Sequence, residues 1–282
     1  MVNKVLGHLE VGSKIFLTTK VDRSVTGLIA QQQCVGPFQI PLANYSATAF
    51  SYFDKFGTVT SIGERPFIGL FSESLQAHYS LAEMLTNMVG GYIGSIENIK
   101  CSVNWMWANN SPGEALKLYN TATSLTNAMK DAGVGIDGGK DSLSMMVKTN
   151  ETDVISPGNV VVTGYAPCLD VNKGLTPDLK DIFSLIVHVP FVKHSEEYQQ
   201  LKGSIYSRVN NDDNFNLPSK LDFTYVKRAF NLIQNMVGKE ELLSLHDISD
   251  GGLVTTLFEM CYSGYKGIDI DNIDLDKAKY LC

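Results

Sequence analysis

The stretch Ser74-Leu-Gln-Ala-His-Tyr-Ser-Leu-Ala-Glu-Met-Leu-Thr-Asn-Met-Val89 decides the fold class of this chain. Its apolar side chains recur at the three- and four-residue spacing of an amphipathic helix, which we predict over residues 74–93. Such a helix needs a sheet or another helix to cover its apolar stripe. A second helix is predicted at residues 112–132, and strands are predicted at 45–62, 99–103 and 160–166. This alternation predicts an α/β or α+β fold.

Shorter segments complete the expected secondary structure. Apolar runs predict strands at residues 14–19, 66–71, 183–189 and 242–245. Periodic patterns predict helices at 221–236 and 252–262, and the glycine-dense run 133–139 predicts a turn.

A connector over residues 170–181 contains Gly174 and Pro177, and we place a domain boundary there. The expected domains are residues 1–178 and 179–282. The second domain ends soon after a strand pattern at 268–270, so we expect the chain to be a fragment of a longer polypeptide.

The overall composition is that of a globular protein, with 44% hydrophobic and 19% charged residues. The net charge is −7 and no Lys/Arg cluster is visible, so nucleic-acid binding is not expected. No apolar run approaches the roughly 20 residues that cross a membrane, so no membrane partner is expected. The five cysteines are scattered and lack CxxC spacing, which predicts reduced thiols in a cytoplasmic protein.

Glu83 and Asn87 lie four residues apart in the first predicted helix, so both project from one face. A carboxylate and an amide oxygen are hard ligands that suit Mg²⁺, which usually binds beside phosphates. The alternative is a solvent-facing polar pair on an amphipathic helix. The spacing leaves both interpretations open.

The motif His246-Asp-Ile-Ser-Asp-Gly-Gly252 follows an apolar run and precedes a predicted helix. Acidic side chains at the end of a strand, next to the N–H groups of a helix start, are typical of a corner that binds metal and phosphate. The alternative is that Ser249 or Asp250 caps the helix. The two interpretations are compatible.

Two further motifs are less specific. The run Gly138-Gly-Lys-Asp-Ser142 lacks P-loop spacing, although its glycines would let the backbone approach a phosphate. A tight turn explains the same residues equally well. Trp105 and Trp107 lie in a predicted aromatic loop, and we expect them to pack in the core.

Eight segments occur in the order that is found in one family. They are Asp22-Arg-Ser-Val-Thr-Gly27, Gln33-Cys-Val-Gly-Pro-Phe-Gln39, Glu83-Met-Leu-Thr-Asn87, Asn104-Trp-Met-Trp-Ala108, Pro112-Gly-Glu114, Asp137-Gly-Gly-Lys-Asp-Ser-Leu-Ser-Met145, Leu175-Thr-Pro-Asp-Leu179 and His246-Asp-Ile-Ser-Asp-Gly-Gly252. With them the chain resembles the large, single-chain phosphoribosylformylglycinamidine synthases of purine biosynthesis. The resemblance implies a two-domain fold of the aminoimidazole ribonucleotide synthetase type, with the second domain truncated.

The resemblance also implies an enzyme, a C–N ligase. Such synthases convert formylglycinamide ribonucleotide, ATP and glutamine into formylglycinamidine ribonucleotide, ADP, phosphate and glutamate. Their synthetase region has two related halves, and a glutaminase domain supplies ammonia. This chain matches the second half, so the expected partners are the first half and the glutaminase domain of the same polypeptide. The isolated chain is expected to be inactive.

In that half, the family holds an auxiliary nucleotide, ATP or ADP, with Mg²⁺. The resemblance assigns the metal to Glu83, Asn87 and Asp247. It assigns nucleotide contacts to Ser249 and to the backbone of Ala43.

The resemblance leaves one ligand altered, because Asn44 stands where the family has a metal-binding aspartate. An amide oxygen can coordinate Mg²⁺ but contributes no charge. Asp22, Arg23 and Lys140 are polar residues in glycine-rich turns. Together with Gly138 and Gly139, they are expected to face the cleft formed with the first half.

Two other functions are kept as alternatives. The first is a non-catalytic module whose bound nucleotide and Mg²⁺ are purely structural. The second is another ATP-dependent synthetase of the same superfamily, such as a selenophosphate or thiamine-monophosphate enzyme. The tryptophan loop and the motif at residues 140–145 argue against the second.

Overall fold

A computed structural model describes residues 1–18, 27–180, 183–191, 201–211 and 214–270. The helices are α1 (Val2–Leu6), α2 (Ile15–Thr18), α3 (Pro66–Gly69), α4 (Glu73–Met88), α5 (Glu114–Ala132), α6 (Ile205–Asn210), α7 (Phe223–Gly238) and α8 (Gly252–Gly264). The strands are β1 (Ile29–Gln31), β2 (Ser46–Ala49), β3 (Gly57–Glu64), β4 (Lys100–Met106), β5 (Gly135–Ser142), β6 (Met146–Lys148), β7 (Asp153–Ile155) and β8 (Asn159–Cys168). The predicted α/β (α+β) class is confirmed.

One six-stranded sheet has the order β1-β2-β3-β8-β4-β5, and β6 and β7 form a separate hairpin. The β4–β5 pair is parallel, and the other pairs of the large sheet are antiparallel. Because β8 runs opposite to both of its neighbours, β3, β4 and β5 all point the same way. Their carboxyl ends therefore share one edge of the sheet.

The main core lies between this sheet and α4. Strands β3 and β8 alternate buried and more exposed residues, so one face of the sheet is covered and the other is not. Two glycines allow the close approach of α4. A Cβ at Gly63 would lie 2.1 Å from the Ser80 carbonyl oxygen, and one at Gly164 would lie 2.2 Å from Met84 Sδ. Helix α5 packs beside α4.

Helix α7 contacts this layer, and helix α8 contacts the connector. The buried side chain of Gln234 on α7 bonds to the backbone that follows α4. On α8, the Met260 carbonyl accepts a hydrogen bond from Leu179 N in the connector. Among the described residues, no helix is both long and apolar enough to cross a membrane.

Several of the shorter predicted elements are wrong. Residues 15–18 and 66–69 form single helical turns, and residues 135–142 form strand β5 instead of a turn. Residues 183–189 and 242–245 lack regular secondary structure, and Phe183 is 99% exposed. Short apolar runs fit a strand and a helical turn equally well, so they do not fix the element type.

Candidate functional site

Glu83 is held at the centre of a polar cluster beside the end of β3. Its Oε2 accepts a hydrogen bond from the backbone N–H of Glu64 at 2.6 Å. Its Oε1 lies 2.8 Å from a guanidinium nitrogen of Arg65, and another nitrogen of that guanidinium lies 2.6 Å from Asp250 Oδ1. Arg65 therefore links Glu83 on α4 to Asp250, which lies just before α8.

The environment of Glu83 favours the neutral, protonated form of its carboxyl group. Burial raises its pKa to about 7, and the nearby carboxylates of Asp250 and Asp247 act in the same direction. Arg65 and the Glu64 N–H oppose this shift without cancelling it. A further positive charge near Glu83 would therefore stabilise its ionised form.

Asn87 faces the same strand as Glu83. Its Nδ2 donates to the Ile62 carbonyl oxygen at 2.9 Å, which leaves Oδ1 as the atom for a ligand. The β2–β3 register pairs Ser46 with Thr60, and continuing it two residues would place Asn44 beside Ile62. Asn44 Nδ2 is buried and has no hydrogen-bond partner among the described residues. A buried amide without a partner favours an acceptor from a ligand.

Asp247 is buried beside His246. His246 Nδ1 lies 3.2 Å from Asp247 Oδ1, and His246 Nε2 lies 2.9 Å from Glu259 Oε2. Burial alone lowers the pKa of His246, but the two carboxylates outweigh it and raise the pKa to about 9. The positive charge of the imidazolium therefore lies beside the Asp247 carboxylate, although His246 Nδ1 makes no hydrogen bond among the described residues.

The N-terminus of α8 has no side-chain cap. The cap position is Gly251, with φ 90°, and neither Ser249 nor Asp250 makes the capping bond. The predicted capping role is therefore wrong, because the Asp250 carboxylate pairs with Arg65 instead. Ser249 accepts a backbone bond from Gly252 N through its carbonyl oxygen. The first turn of α8 consequently leaves backbone N–H groups for another acceptor.

The remaining predicted residues are distributed around this cluster. The Ala43 N–H donates to the Gln33 carbonyl oxygen, so its own carbonyl is the backbone atom that can meet a ligand. Lys140 lies on β5 with its Nζ 2.6 Å from Ser142 Oγ. Gly138 and Gly139 lie on the same strand.

Lys140 is at the level of the sheet where the Glu83 cluster begins. The register pairs Lys140 with Asn104, Asn104 with Val161, and Val161 with Glu64. Three strand spacings separate Lys140 from Glu64, which is roughly 14 Å. No hydrogen bond or ion pair in the described part of the chain joins Lys140 to the cluster. Asp22 and Arg23 lie outside the described residues.

The donor set fits Mg²⁺ in chemistry. Glu83, Asp247 and the amides of Asn44 and Asn87 supply hard oxygen atoms, and Glu83 senses the Asp247 charge. The described residues contain no group of three or more His, Cys, Asp or Glu side chains that is arranged as a metal cage. Only Glu83 and Asp247 among the four candidate donors belong to those residue types.

Sequence analysis missed Arg65. It lies between two strand predictions, at 45–62 and 66–71, and its partner Asp250 is 185 positions away in the sequence. The motif Glu64-Arg-Pro66 directly after a strand was the available signal, because the carboxyl end of a strand is a frequent place for ligand-binding residues.

Comparison with known families matches residues 13–167, more than half of the chain, to the FGAR-AT PurM_N-like domain. The chain belongs to this family. Residues 197–279 match a second family, described as AIR synthase related protein, C-terminal domain.

Curated relatives of this FGAR-AT PurM_N-like chain carry one name. The Dictyostelium discoideum phosphoribosylformylglycinamidine synthase is 41% identical over 96% of this chain, and the Homo sapiens protein of that name is 39% identical over 96%. The match covers 20% of either relative. The chain therefore spans about a fifth of the length of these relatives.

Among solved structures, the Thermotoga maritima PurL structure titled as complexed with FGAR matches with a TM-score of 0.60. The match covers 94% of this chain and 38% of that one, at 9% sequence identity. At this identity the likeness concerns the fold alone. It agrees with the aminoimidazole ribonucleotide synthetase-like fold expected of this family.

Proposed function

We propose that this chain is the second synthetase half of a phosphoribosylformylglycinamidine synthase. The whole enzyme would convert formylglycinamide ribonucleotide to formylglycinamidine ribonucleotide with ATP and glutamine. The observation that carries the proposal is the identity of 39–41% to named synthases over 96% of the chain. The first synthetase half and a glutaminase domain would be its partners, in the cytoplasm. Domain limits at 178/179 fall between the two family matches, which supports them.

A chimera tests this function. This chain would replace the matching fifth of the Dictyostelium discoideum relative, and synthase turnover with glutamine would be measured. We expect turnover within about tenfold of the unmodified enzyme, which corresponds to about 1.4 kcal/mol in the barrier. A chimera that folds but shows no turnover would contradict the proposal.

Within this function, the Glu83 cluster would hold a nucleotide with Mg²⁺. Glu83, Asn87 and Asp247 would ligate the metal, with Asn44 as a neutral fourth donor. Mg²⁺ would neutralise the nucleotide phosphates and fix their position. The Ser249 hydroxyl, the Ala43 carbonyl and the uncapped N-terminus of α8 would contact the nucleotide. The unpartnered Asn44 Nδ2 is a buried donor from which a phosphate oxygen would accept a hydrogen bond, and this supports the nucleotide.

The bound nucleotide is directly measurable. The chain would be purified without added nucleotide and denatured, and the released molecules identified by mass spectrometry with magnesium measured in parallel. We expect stoichiometric ADP with Mg²⁺, and its loss in Asp247→Ala, because that variant removes a buried ligand. Asp153→Ala on the exposed β7 is the control and should retain ADP. A folded chain that takes up no ADP at millimolar concentration would rule out this site.

The purely structural nucleotide module is the second candidate function. It would bind ADP, and variants of Glu83 or Asp247 in the chimera would lower turnover only through their loss of stability. Proportional losses of stability and turnover across those variants would identify it. The relatives above give no support to a selenophosphate or thiamine-monophosphate enzyme.

A further inference from the structure

Arg65 occupies the position from which a cation would neutralise the Glu83 cluster. Its side chain is only 18% exposed, although a free arginine on a surface would be largely solvated. The guanidinium contacts Glu83 at 2.8 Å and Asp250 at 2.6 Å. The charge of Asp247 is also close enough to act on it. Three carboxylates therefore converge on one fixed positive charge.

Each oxygen of Glu83 already has one donor in the present geometry. One oxygen accepts from Arg65 and the other from the Glu64 N–H. A divalent cation on Glu83 would lie beside the guanidinium, and the two positive charges would repel each other. The Glu64 N–H belongs to the last residue of β3 and is fixed by the sheet, whereas the arginine side chain can rotate. Arg65 is therefore the group that would move away.

We propose that Arg65 is a built-in counter-ion that competes with a divalent cation for Glu83. Without metal, the guanidinium neutralises the carboxylate. When the metal binds, Arg65 releases Glu83 and keeps its contact with Asp250. The inference rests on the proposed nucleotide–Mg²⁺ site and adds the residue that sets its metal affinity.

The geometry also gives the exchange a structural consequence. Arg65 follows β3, Glu83 belongs to α4, and Asp250 precedes α8. The pair of salt bridges therefore joins the layer of the sheet and α4 to the start of α8. A planar guanidinium can contact two carboxylates at once, which a lysine ammonium does less well. Metal binding would replace the Arg65–Glu83 salt bridge with metal–ligand bonds from Glu83 on α4 and from Asp247 before α8.

Competition predicts that removing Arg65 tightens metal binding. Mn²⁺ would be titrated into the nucleotide-free chain and the bound fraction followed by electron paramagnetic resonance. We expect Arg65→Gln to bind Mn²⁺ roughly tenfold more tightly than the wild type, equivalent to about 1.4 kcal/mol. Glu83→Gln should lose binding. Lys227→Gln, which breaks the separate Lys227–Glu97 pair, should match the wild type.

A second measurement keeps the test decisive if Arg65→Gln does not fold. The wild-type chain would be treated with an arginine-selective dicarbonyl reagent with and without Mg²⁺, and the Arg65 peptide quantified. Release from Glu83 should increase its modification severalfold, while Arg208 serves as an internal reference. Unchanged or lower modification in Mg²⁺ would overturn the competition.

The outcomes separate this inference from the proposed site. Equal Mn²⁺ affinity in the wild type and Arg65→Gln would overturn the competition alone and leave the metal site standing. Absence of Mn²⁺ and Mg²⁺–ADP binding in both folded proteins would overturn the site, and the competition with it.

Discussion

Gln234 uses every hydrogen-bonding position of its amide in the interior. Its Nε2 donates to the carbonyl oxygens of Val89 and Gly91, and its Oε1 accepts from the N–H groups of Ile93 and Gly94. These backbone groups follow α4 directly and are buried with it. Gln234 therefore attaches α7 to the end of the helix that carries Glu83 and Asn87.

Replacing Gln234 with leucine would leave four backbone groups without partners. We expect Gln234→Leu to lower the free energy of unfolding by about 3 kcal/mol, since each buried unsatisfied group costs about 1–3 kcal/mol and the effects are not additive. Urea unfolding followed by circular dichroism measures it. Asn235→Leu, at the next and exposed position of α7, should change stability little. Similar losses in both variants would contradict this role of Gln234.

His78 predicts a dependence of stability on pH. Burial, helped by the positive charge of Lys220, lowers its pKa, while Asp131 opposes the shift. Among the described residues, its Nδ1 has no hydrogen-bond partner. The folded chain thus binds this proton less readily than the unfolded chain does. The contribution is fully present above about pH 6.5 and is lost as the pH falls below it.

The measurement compares unfolding free energies at pH 7 and pH 5. We expect His78→Leu to lose less stability than the wild type between these pH values, because the leucine cannot titrate. His188→Leu removes an exposed histidine and should keep the wild-type loss. If His78→Leu and the wild type lost equal stability, another group would be responsible.

At this scale, sequence reasoning predicted candidate ligands but not their environment. The four-residue spacing of Glu83 and Asn87 follows from helix geometry, so their common face could be predicted. The Arg65 bridge could not, because it depends on how α8 is placed against β3. Nothing in the local sequence encodes that long-range placement.

Among the elements, long periodic segments were predicted well and short ones poorly. Helices α4, α5, α7 and α8 each carry several turns of apolar periodicity, and their predicted limits agree with the structure to within two residues, except that α4 ends at Met88, five residues before the predicted end. Residues 66–69 form a helical turn because Pro66 suits the first turn of a helix and the run is too short to show a period.

The turn predicted over residues 133–139 was wrong for a different reason, since β5 begins at Gly135. Glycines are typical of turns, but here they allow close strand contact. A Cβ at Gly139 would lie 2.4 Å from the Val103 carbonyl oxygen of β4. The requirement for glycine therefore comes from the neighbouring strand, which the local sequence does not reveal.

The contact of α4 with β3 gives a prediction at the same scale. We expect Gly63→Ala to lower the free energy of unfolding by about 3 kcal/mol, because the added methyl group would overlap backbone atoms of α4 and force the helix outward. Urea unfolding again measures it. Gly135→Ala, where a Cβ meets nothing within 4 Å, is the matched control and should be nearly neutral. A neutral Gly63→Ala would show that α4 sits farther from the sheet.

Across the whole molecule, the α/β class was predictable because two strong helices and three strand patterns suffice to define it. The order of the strands in the sheet was not predictable, because β8 lies between β3 and β4 although it follows both of them in the sequence. The same limit applies to the site, whose parts come from β3, α4 and the start of α8. Those parts meet only through the tertiary fold.

The central place of β8 has a consequence for synthesis of the protein. Thr58 Oγ1 on β3 donates to the Ala166 carbonyl oxygen on β8, across 108 positions of sequence. Until the ribosome has released β8, β1–β3 and β4–β5 are separate pieces, and α4 lacks part of the surface that it covers. Such distant pairing forms slowly because a long loop must close first. Translation through β8 therefore sets how long the nascent chain exposes its apolar helix face to chaperones or to aggregation.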